Sequence, residues 1–283
     1  MSVHTNEKKK ITPAFLKEKK AKGERITMLT AYDYSTASIM DNAGIDTILV
    51  GDSLGQVILG YDSTVPVTME DMLHHCKAVR RGTKYAFLIA DMPFLSYQVS
   101  IEDAKRNAGR FAKESGCDAV KLEGGIEMAE TIRSIVKMGI PVVGHIGFTP
   151  QSAGALEGIV QGKTIENAQY QLDSAKALEQ AGACMIVLEC IPALLAEVIT
   201  KAVKVPTIGI GAGAECDGQV LVVNDMLGLF QKFIPKFVKQ YAKLYPLIDE
   251  SIKSYIAEVE GGQFPKQEHT FKIDEAVIAK LKK

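Results

Sequence analysis

Ionisable side chains stand at the ends of five consecutive apolar runs of the sequence. In chain order they are Asp52, Asp91, Lys121 together with Glu123, His145 and Glu189. A single aspartate in such a position is commonly a helix N-cap, and a single buried histidine is commonly a hydrogen-bonded packing residue. Capping does not explain a series of five, so the pattern indicates one shared functional site.

Three of the four carboxylic acids in this series, Asp52, Asp91 and Glu123, would repel one another strongly if they met. A positive charge must then lie among them. Oxygen ligands without neighbouring His or Cys favour a hard cation, Mg²⁺ above all. A zinc site would need His or Cys at short spacing, which the sequence does not offer. We therefore expect a magnesium site.

Two further residues suit the chemistry of a substrate bound beside that ion. Lys121 and Glu123 are two apart on one run, so their side chains share a face. A lysine there suits a substrate carboxylate, and the alternative is a lysine that only neutralises its acidic neighbours. Glu189 is the carboxylate left free of the metal, which makes it the candidate general base.

The chain repeats an order of apolar run, loop and amphipathic segment. Runs rich in Val, Ile and Leu that hardly alternate are typical of parallel strands buried on both faces. Glycines at 44, 116, 139 and 182 fit the left-handed position that ends a helix. The predicted strands are Ile26–Thr30, Thr47–Val50, Phe87–Ala90, Ala119–Leu122, Pro141–His145, Met185–Leu188, Thr207–Ile210 and Val220–Val223.

Eight strand–helix units in one uninterrupted series predict the α/β class and a closed (β/α)8 TIM barrel, with an open doubly wound sheet as the alternative. In a barrel the carboxyl ends of all strands converge on one rim, where active sites lie. We expect residues 1–283 to form a single barrel domain, with an N-terminal capping helix at 11–22. C-terminal helices are expected after Gly228, where Phe237, Val238, Tyr241 and Leu244 have helical spacing. The other helices are predicted at about 35–43, 69–81, 101–115, 127–138, 165–181 and 192–202.

Composition limits the function classes. With 283 residues, of which 47% are hydrophobic, the chain can bury a large core, and a net charge of −1 gives no electrostatic reason to bind nucleic acid. We read the basic run at 8–10 as a solvated end. No run approaches the ~18 apolar residues of a membrane span, and the N-terminus lacks the apolar region of a signal peptide. Five scattered cysteines indicate reduced thiols and a cytoplasmic location.

The sequence does not decide the role of two loops. The segment Gly209–Gly213 is glycine-rich but lacks the spacing of a phosphate cradle, so close packing or contact with a large cosubstrate is the preferred interpretation over phosphate binding. The segment Gly60–Val67 lies next to Asp52 in the chain. It could close over a substrate or be an ordinary rigid connection.

Six motifs, taken together and in order, resemble the ketopantoate hydroxymethyltransferase family. They are VGDSLG at 50–55, ADMPF at 90–94, VKLEGG at 120–125, GHIGFTPQS at 144–152, LEC at 188–190 and IGIGAG at 208–213. The resemblance covers residues 12 to 245 or so. It implies a barrel of the phosphoenolpyruvate/pyruvate superfamily, a homodecamer, and the first committed step of pantothenate and coenzyme A synthesis.

The resemblance also implies the reactants and residue roles. Members of the family transfer a hydroxymethyl group from 5,10-methylenetetrahydrofolate to 3-methyl-2-oxobutanoate and need Mg²⁺, which stabilises an enolate. By motif match, Asp52, Asp91 and Glu123 take the metal roles, Asp52, Ser53, Asp91, Lys121 and His145 line the oxo-acid site, and Glu189 is the proton acceptor.

Three other functions stay open at this point. A lyase or mutase of the same superfamily would carry a catalytic cysteine in a K-K-C-G-H-type motif, and the sequence has none. A metal-free aldolase would form a Schiff base on Lys121. A non-catalytic barrel would bind its ligand without proton exchange.

Overall fold

The computed structural model describes residues 9–156 and 158–281, in which strands and helices alternate. The strands are β1 (Ile26–Thr30), β2 (Thr47–Val50), β3 (Phe87–Asp91), β4 (Ala119–Glu123), β5 (Val142–Gly147), β6 (Met185–Glu189), β7 (Thr207–Ile210) and β8 (Gly218–Leu221). The α-helices are α1 (Pro13–Ala21), α2 (Tyr34–Ala43), α3 (Leu54–Val57), α4 (Met69–Gly82), α5 (Ile101–Arg110), α6 (Ala129–Val136), α7 (Ile165–Ala181), α8 (Ala193–Ala202), α9 (Val223–Met226), α10 (Leu244–Glu260) and α11 (Glu275–Leu281).

The eight strands form a closed parallel barrel. Each strand pairs with its neighbours in chain order, and β8 pairs with β1. The predicted (β/α)8 barrel is therefore confirmed, and the open doubly wound sheet is excluded. The register sets Asp91 beside Lys121, and Glu123 beside His145. Residues far apart in the chain thus become lateral neighbours on one rim.

Two apolar cores hold the barrel together. One fills its interior with side chains such as Phe87, Ile89, Val143 and Met185, closed at the amino-terminal end by Leu16 of α1. The other lies between the strands and the surrounding helices. Burying one such side chain stabilises the fold by about 1.5–3 kcal/mol, so the cores hold the rim rigidly.

Most predicted elements are found within two residues of their expected ends, and Gly44 and Gly182 end α2 and α7 in the left-handed conformation. Two boundaries differ. The eighth strand both begins and ends two residues earlier than predicted, and it cannot extend to Val223 because that residue opens α9. The stretch expected as 101–115 changes after Arg110 into a π-helical turn.

The helix expected around Phe237 and Tyr241 is wrong, because α10 begins only at Leu244. Tertiary contacts replace the local helical bonds in this stretch. The Tyr241 and Leu244 amides donate to carbonyls of residues 226 and 227 at the end of α9, and the Phe237 ring lies against Gly211.

The prediction of a solvated end at 8–10 is wrong for Lys10. Lys10 is partly buried, and its Nζ pairs with Asp118 Oδ2 at 2.5 Å and donates to the Ala86 carbonyl at 2.6 Å. Lys8 lies outside the described residues. All five cysteines are free thiols. In the part of the chain that the structure describes, no helix is long and apolar enough to cross a membrane.

Candidate active site

The carboxyl rim of the barrel gathers the charged residues singled out from the sequence. Asp91, Lys121, Glu123, His145 and Glu189 lie in β3 to β6, and Asp52 follows β2 by two residues. All are buried except Glu189, whose side chain is 17% exposed. The rim therefore places a partly open carboxylate beside a buried charge cluster.

An ion pair joins β3 to β4 in this cluster. Lys121 Nζ lies 2.7 Å from Asp91 Oδ1, and the Asp52 amide donates to Asp91 Oδ2 at 3.0 Å. The first contact is an ion pair without hydrogen-bond alignment, because Oδ1 accepts no hydrogen bond from the described residues. Asp91 Oδ1 thus retains a lone pair for another donor or a cation.

His145 connects the cluster to Glu189. Its Nδ1 lies 3.1 Å from Lys121 Nζ and 3.5 Å from Glu123 Oε1, and its Nε2 lies 3.2 Å from Glu189 Oε2. The last contact is within ion-pair distance but not aligned as a hydrogen bond. Burial and the Lys121 charge lower the pKa of His145, but Glu123 and Glu189 outweigh them and raise it to about 9. These two carboxylates therefore favour the protonated imidazole.

The buried cluster has more acidic than basic groups, three carboxylic acids against Lys121 and His145. Burial raises the pKa of Asp52 to about 8, assisted by the charges of Asp91 and Glu123. Burial also raises the pKa of Asp91 despite the neighbouring Lys121. Burial lowers the pKa of Lys121, but the surrounding carboxylates outweigh it, and the net shift is upward. A further cation would relieve this repulsion.

Gln151 is a site residue that the sequence reasoning missed. Its Nε2 donates to Asp52 Oδ2 and to the Met92 carbonyl, both at 2.9 Å, and its backbone amide donates to Glu123 Oε2 at 3.0 Å. Tyr97 Oη donates to Gln151 Oε1 at 2.7 Å and accepts from the Glu123 amide at 3.1 Å. The motif GHIGFTPQS contains this glutamine, but an uncharged residue in an irregular turn gave no separate signal.

The donor set of the rim fits a hard cation. Asp52, Asp91 and Glu123 supply carboxylate oxygens, and no described residue donates an aligned hydrogen bond to Asp91 Oδ1. Among the described residues, no three acidic, His or Cys groups surround a common point as they stand. Gln151 holds Asp52 and Glu123, and Lys121 holds Asp91, so an ion would have to displace these contacts.

Ser53 lies at the edge of the cluster rather than inside it. Its Oγ is 2.8 Å from Tyr32 Oη, and it lines a cavity of about 280 Å³ between the start of α3 and the segment after β8. A second cavity of about 280 Å³ adjoins Glu123 and Gln151 on the opposite side. The charge cluster therefore lies between two openings.

The glycine-rich end of β7 serves close packing. A Cβ atom on Gly211 would lie 2.7 Å from the Phe237 ring, and one on Gly213 would lie 2.5 Å from Ala193 Cβ. These glycines are needed because neighbouring side chains approach the backbone. Close packing, one of the two interpretations preferred over a phosphate cradle, agrees with these contacts; nothing in them tests contact with a large cosubstrate.

Comparison with known proteins relates this rim to a protein family. A family model described as ketopantoate hydroxymethyltransferase matches residues 10–267. The chain belongs to the ketopantoate hydroxymethyltransferase family. It is 58% identical over 273 residues to the 3-methyl-2-oxobutanoate hydroxymethyltransferase of Syntrophomonas wolfei, covering 96% of this chain and 99% of that one. The protein of the same name from Desulfotalea psychrophila is 60% identical over 253 residues, covering 89% and 91%.

Solved structures extend the likeness of this ketopantoate hydroxymethyltransferase family member to more distant barrels. A phosphonopyruvate hydrolase superposes with a TM-score of 0.60 at 14% identity, covering 95% of this chain and 94% of the other. A 2,3-dimethylmalate lyase of the PEP mutase/isocitrate lyase superfamily gives 0.59 at 16% identity, with 91% of each chain covered. At such low identity these proteins share the fold alone.

Proposed function

We propose that this chain transfers a hydroxymethyl group from 5,10-methylenetetrahydrofolate to 3-methyl-2-oxobutanoate, giving 2-dehydropantoate for pantothenate and coenzyme A synthesis. Relatives named for this activity match nearly its whole length. The single observation that carries the proposal is the juxtaposition of Glu189, partly open, with the buried Asp91–Lys121 pair through His145.

The proposed cofactor is Mg²⁺, held by Asp52, Asp91 and Glu123. When bound, it supplies Lewis acidity to the 2-oxo and carboxylate oxygens of the substrate. The three acids crowded at the buried rim support this assignment, because burial and the charges of Asp91 and Glu123 raise the pKa of Asp52. Gln151 would release Asp52 and Glu123 as the ion enters.

Lys121 is the proposed partner of the oxo-acid carboxylate, with Asp52, Ser53, Asp91 and His145 lining the same site. Its raised pKa keeps it cationic, and it is held between carboxylates rather than presented as a neutral amine. Schiff-base chemistry requires the neutral amine, so this setting disfavours the aldolase alternative.

Glu189 is the proposed general base that takes the proton from C3 of the oxo acid. His145 Nε2 lies 3.2 Å from Glu189 Oε2 and orients that carboxylate at the rim. The electron pair left on C3 then forms a bond to the one-carbon unit, and water supplies the oxygen of its hydroxyl group. The two bonds that held this carbon to folate nitrogens break as these two bonds form. The C3 proton and one water proton end on the two nitrogens, and tetrahydrofolate leaves.

We also propose a homo-oligomer, a decamer by family resemblance, acting in the cytoplasm. The C-terminal helix α10 exposes apolar side chains, among them Leu247, Ile252 and Tyr255, that one copy leaves uncovered. Such a surface is typical of a protein–protein interface. Free thiols support a reducing compartment.

Proton exchange at C3 tests the activity before folate takes part. The protein is incubated with 3-methyl-2-oxobutanoate in D2O, with and without Mg²⁺, and the C3 proton signal is followed by NMR. We expect exchange that needs the metal. Binding of the oxo acid without exchange would identify a non-catalytic barrel, and borohydride trapping of substrate on Lys121 without metal would identify the aldolase.

A further inference from the structure

The cavity beside Ser53 has the features of a second ligand site. It lies between the α3 region, with Tyr61, and the segment that follows β8, with Phe230 and Phe233. Its volume of about 280 Å³ is at the small end of the range for small-molecule sites. It could enclose a bicyclic ring but not a molecule several times that size.

A carboxyl group without a partner lines this cavity. Asp225 is only 8% exposed, and its Oδ1 has no hydrogen-bond partner among the described residues. Burial raises the pKa of Asp225 to about 6, which leaves it ionised at neutral pH. A buried, ionised and unpaired carboxylate is costly to keep, so the arrangement favours a ligand that brings hydrogen-bond donors.

The other side chains of the cavity provide aromatic surface along it and a positive charge at its open rim. Tyr61, Phe230 and Phe233 provide aromatic surface against which a flat ring can pack. Lys232 stands at the open rim, where its side chain is 63% exposed and its Nζ lies 3.6 Å from Asp62 Oδ1. The cavity thus has an acid inside, aromatic surface along it and a cation outside.

We propose that this cavity binds the 2-amino-4-oxopyrimidine ring of the folate cosubstrate, with the Asp225 carboxylate accepting hydrogen bonds from N3–H and the 2-amino group. The inference rests on the proposed function. Two adjacent N–H donors match the two oxygens of a carboxylate, as a guanidinium does. The acidic tail of the folate extends past Lys232 into solvent.

Ser53 connects this cavity to the proposed oxo-acid site. It lines the cavity, and it follows Asp52 directly in the chain. Burial, and to a smaller extent the charge of Asp225, raises the pKa of Tyr32, whose Oη is 2.8 Å from Ser53 Oγ. A ring held by Asp225 therefore lies against the same serine as the oxo acid, as transfer of one carbon requires.

The cavity on the opposite side of the cluster lacks such a carboxylate. Glu127 lines it, but this acid already accepts from the Gly125 amide and from Tyr170 Oη, both at 2.7 Å. A ring with two donors would have to break both bonds there. The unpartnered acid favours the Ser53 side.

The test measures binding rather than turnover. The full chain, loaded with Mg²⁺ and the oxo acid, is titrated with 5-formyltetrahydrofolate, which cannot transfer its carbon in this reaction, and the heat is recorded. Asp225→Asn offers one acceptor where two are needed, so we expect its Kd to rise about tenfold or more. Asp62→Asn, the same change at the exposed rim of the same cavity, is the matched control and should alter Kd less than about twofold.

A tail fragment, p-aminobenzoylglutamate, should bind wild type and Asp225→Asn equally. An unchanged Kd of 5-formyltetrahydrofolate in Asp225→Asn, or no binding by wild type, would overturn the assignment. If Asp225→Asn does not fold by circular dichroism, Phe233→Ala takes its place and should also weaken binding; an unchanged Kd there counts against the site. Metal-dependent exchange at C3 of the oxo acid needs no folate. If wild type shows no such exchange, the proposed function is refuted, whereas the folate-binding test concerns only the cavity.

Discussion

Aspartates occupy both ends of the barrel, and their surroundings are opposite. At the amino-terminal end Asp46 accepts from Lys19 at 2.8 and 2.9 Å and from the Thr27 amide and hydroxyl. Asp217 does the same with Lys20 and with the amide and hydroxyl of Thr207. Each of these acids precedes a strand and ties it to a neighbouring strand and to α1.

At the carboxyl end the acids are crowded together and short of partners. Lys121 pairs with Asp91, His145 lies beside Glu123, and Gln151 donates to Asp52 from its side chain and to Glu123 from its backbone. No described residue donates an aligned hydrogen bond to Asp91 Oδ1. The amino-terminal acids have their hydrogen bonds satisfied within the fold and stabilise it. The carboxyl-end acids are left with unmet capacity, which is what binding a cation and a substrate uses.

The largest expected effect is on catalysis, which should depend on an acid at the carboxyl end of the barrel and not on one at the amino-terminal end. Glu189→Gln removes the proposed base, so metal-dependent deuterium exchange at C3 of the oxo acid should slow by about 100-fold or more. Glu179→Gln is the matched change at the other end, where Glu179 Oε1 accepts from the Val205 amide at 3.0 Å. That variant should exchange at the wild-type rate. Full exchange by Glu189→Gln would dismiss Glu189 as the base.

The next effect concerns the metal. Asp91→Ala removes a proposed ligand, and calorimetry should show Mg²⁺ affinity reduced by about tenfold to 100-fold. Asp118→Ala changes an acid that precedes β4, at the other end of the barrel, and accepts from the Leu88 amide at 2.8 Å. Its Mg²⁺ affinity should match wild type. Equal affinities for all three proteins would remove Asp91 from the metal site.

A smaller effect should appear in stability at the amino-terminal end. Asp46→Ala leaves Lys19 and the Thr27 amide without their partner, so unfolding in urea should show a loss of about 2 kcal/mol. Asp249→Ala removes an acid of an exposed pair on α10 and should leave the transition unmoved. Equal midpoints for the two variants would contradict a structural role for Asp46.

The smallest effect has the opposite sign. Folding raises the pKa of Asp52 from 3.8 to about 8, so the folded state favours the protonated acid. This group leaves the free energy of unfolding undiminished below pH 3.8 and lowers it as the pH rises from 3.8 through 8. Asp52→Asn cannot ionise, and without metal it should be more stable than wild type at pH 8 by about 1 kcal/mol. The difference should shrink at pH 5. Urea unfolding at both pH values measures it, and a destabilised variant at pH 8 would place Asp52 with the structural acids.

The sequence predicts the barrel well because its strands are uninterrupted Val, Ile and Leu runs bounded by glycine or polar residues. It also predicts which acids meet, since a barrel brings every residue that follows a strand to one rim and every residue that precedes a strand, such as Asp46, to the other. Both rules depend only on chain order and strand position.

The positions of Gln151 and Asp225 could not be predicted, because they do not follow from chain order and strand position. Gln151 enters the cluster through the path of an irregular turn after β5, and Asp225 depends on a one-turn helix that follows β8. The irregular stretch before α10 is similar, because backbone bonds to the end of α9 override its helical spacing. Such placements follow from tertiary contacts that no local pattern records.

The lysine pair of α1 bears on how the molecule is made. Lys19 reaches Asp46, just before β2, and its neighbour Lys20 reaches Asp217, just before β8, as well as the Thr200 and Val205 carbonyls. One turn of α1 thus contacts the residues that precede both the second strand and the last one. Lys20 and Asp217 are 197 positions apart in the chain. Because the ribosome adds residues in chain order, α1 can form its contact with Asp46 early, but its contact with Asp217 only after seven of the eight strands have been made. The amino-terminal end of the barrel is therefore completed by a helix that is synthesised well before its last partner.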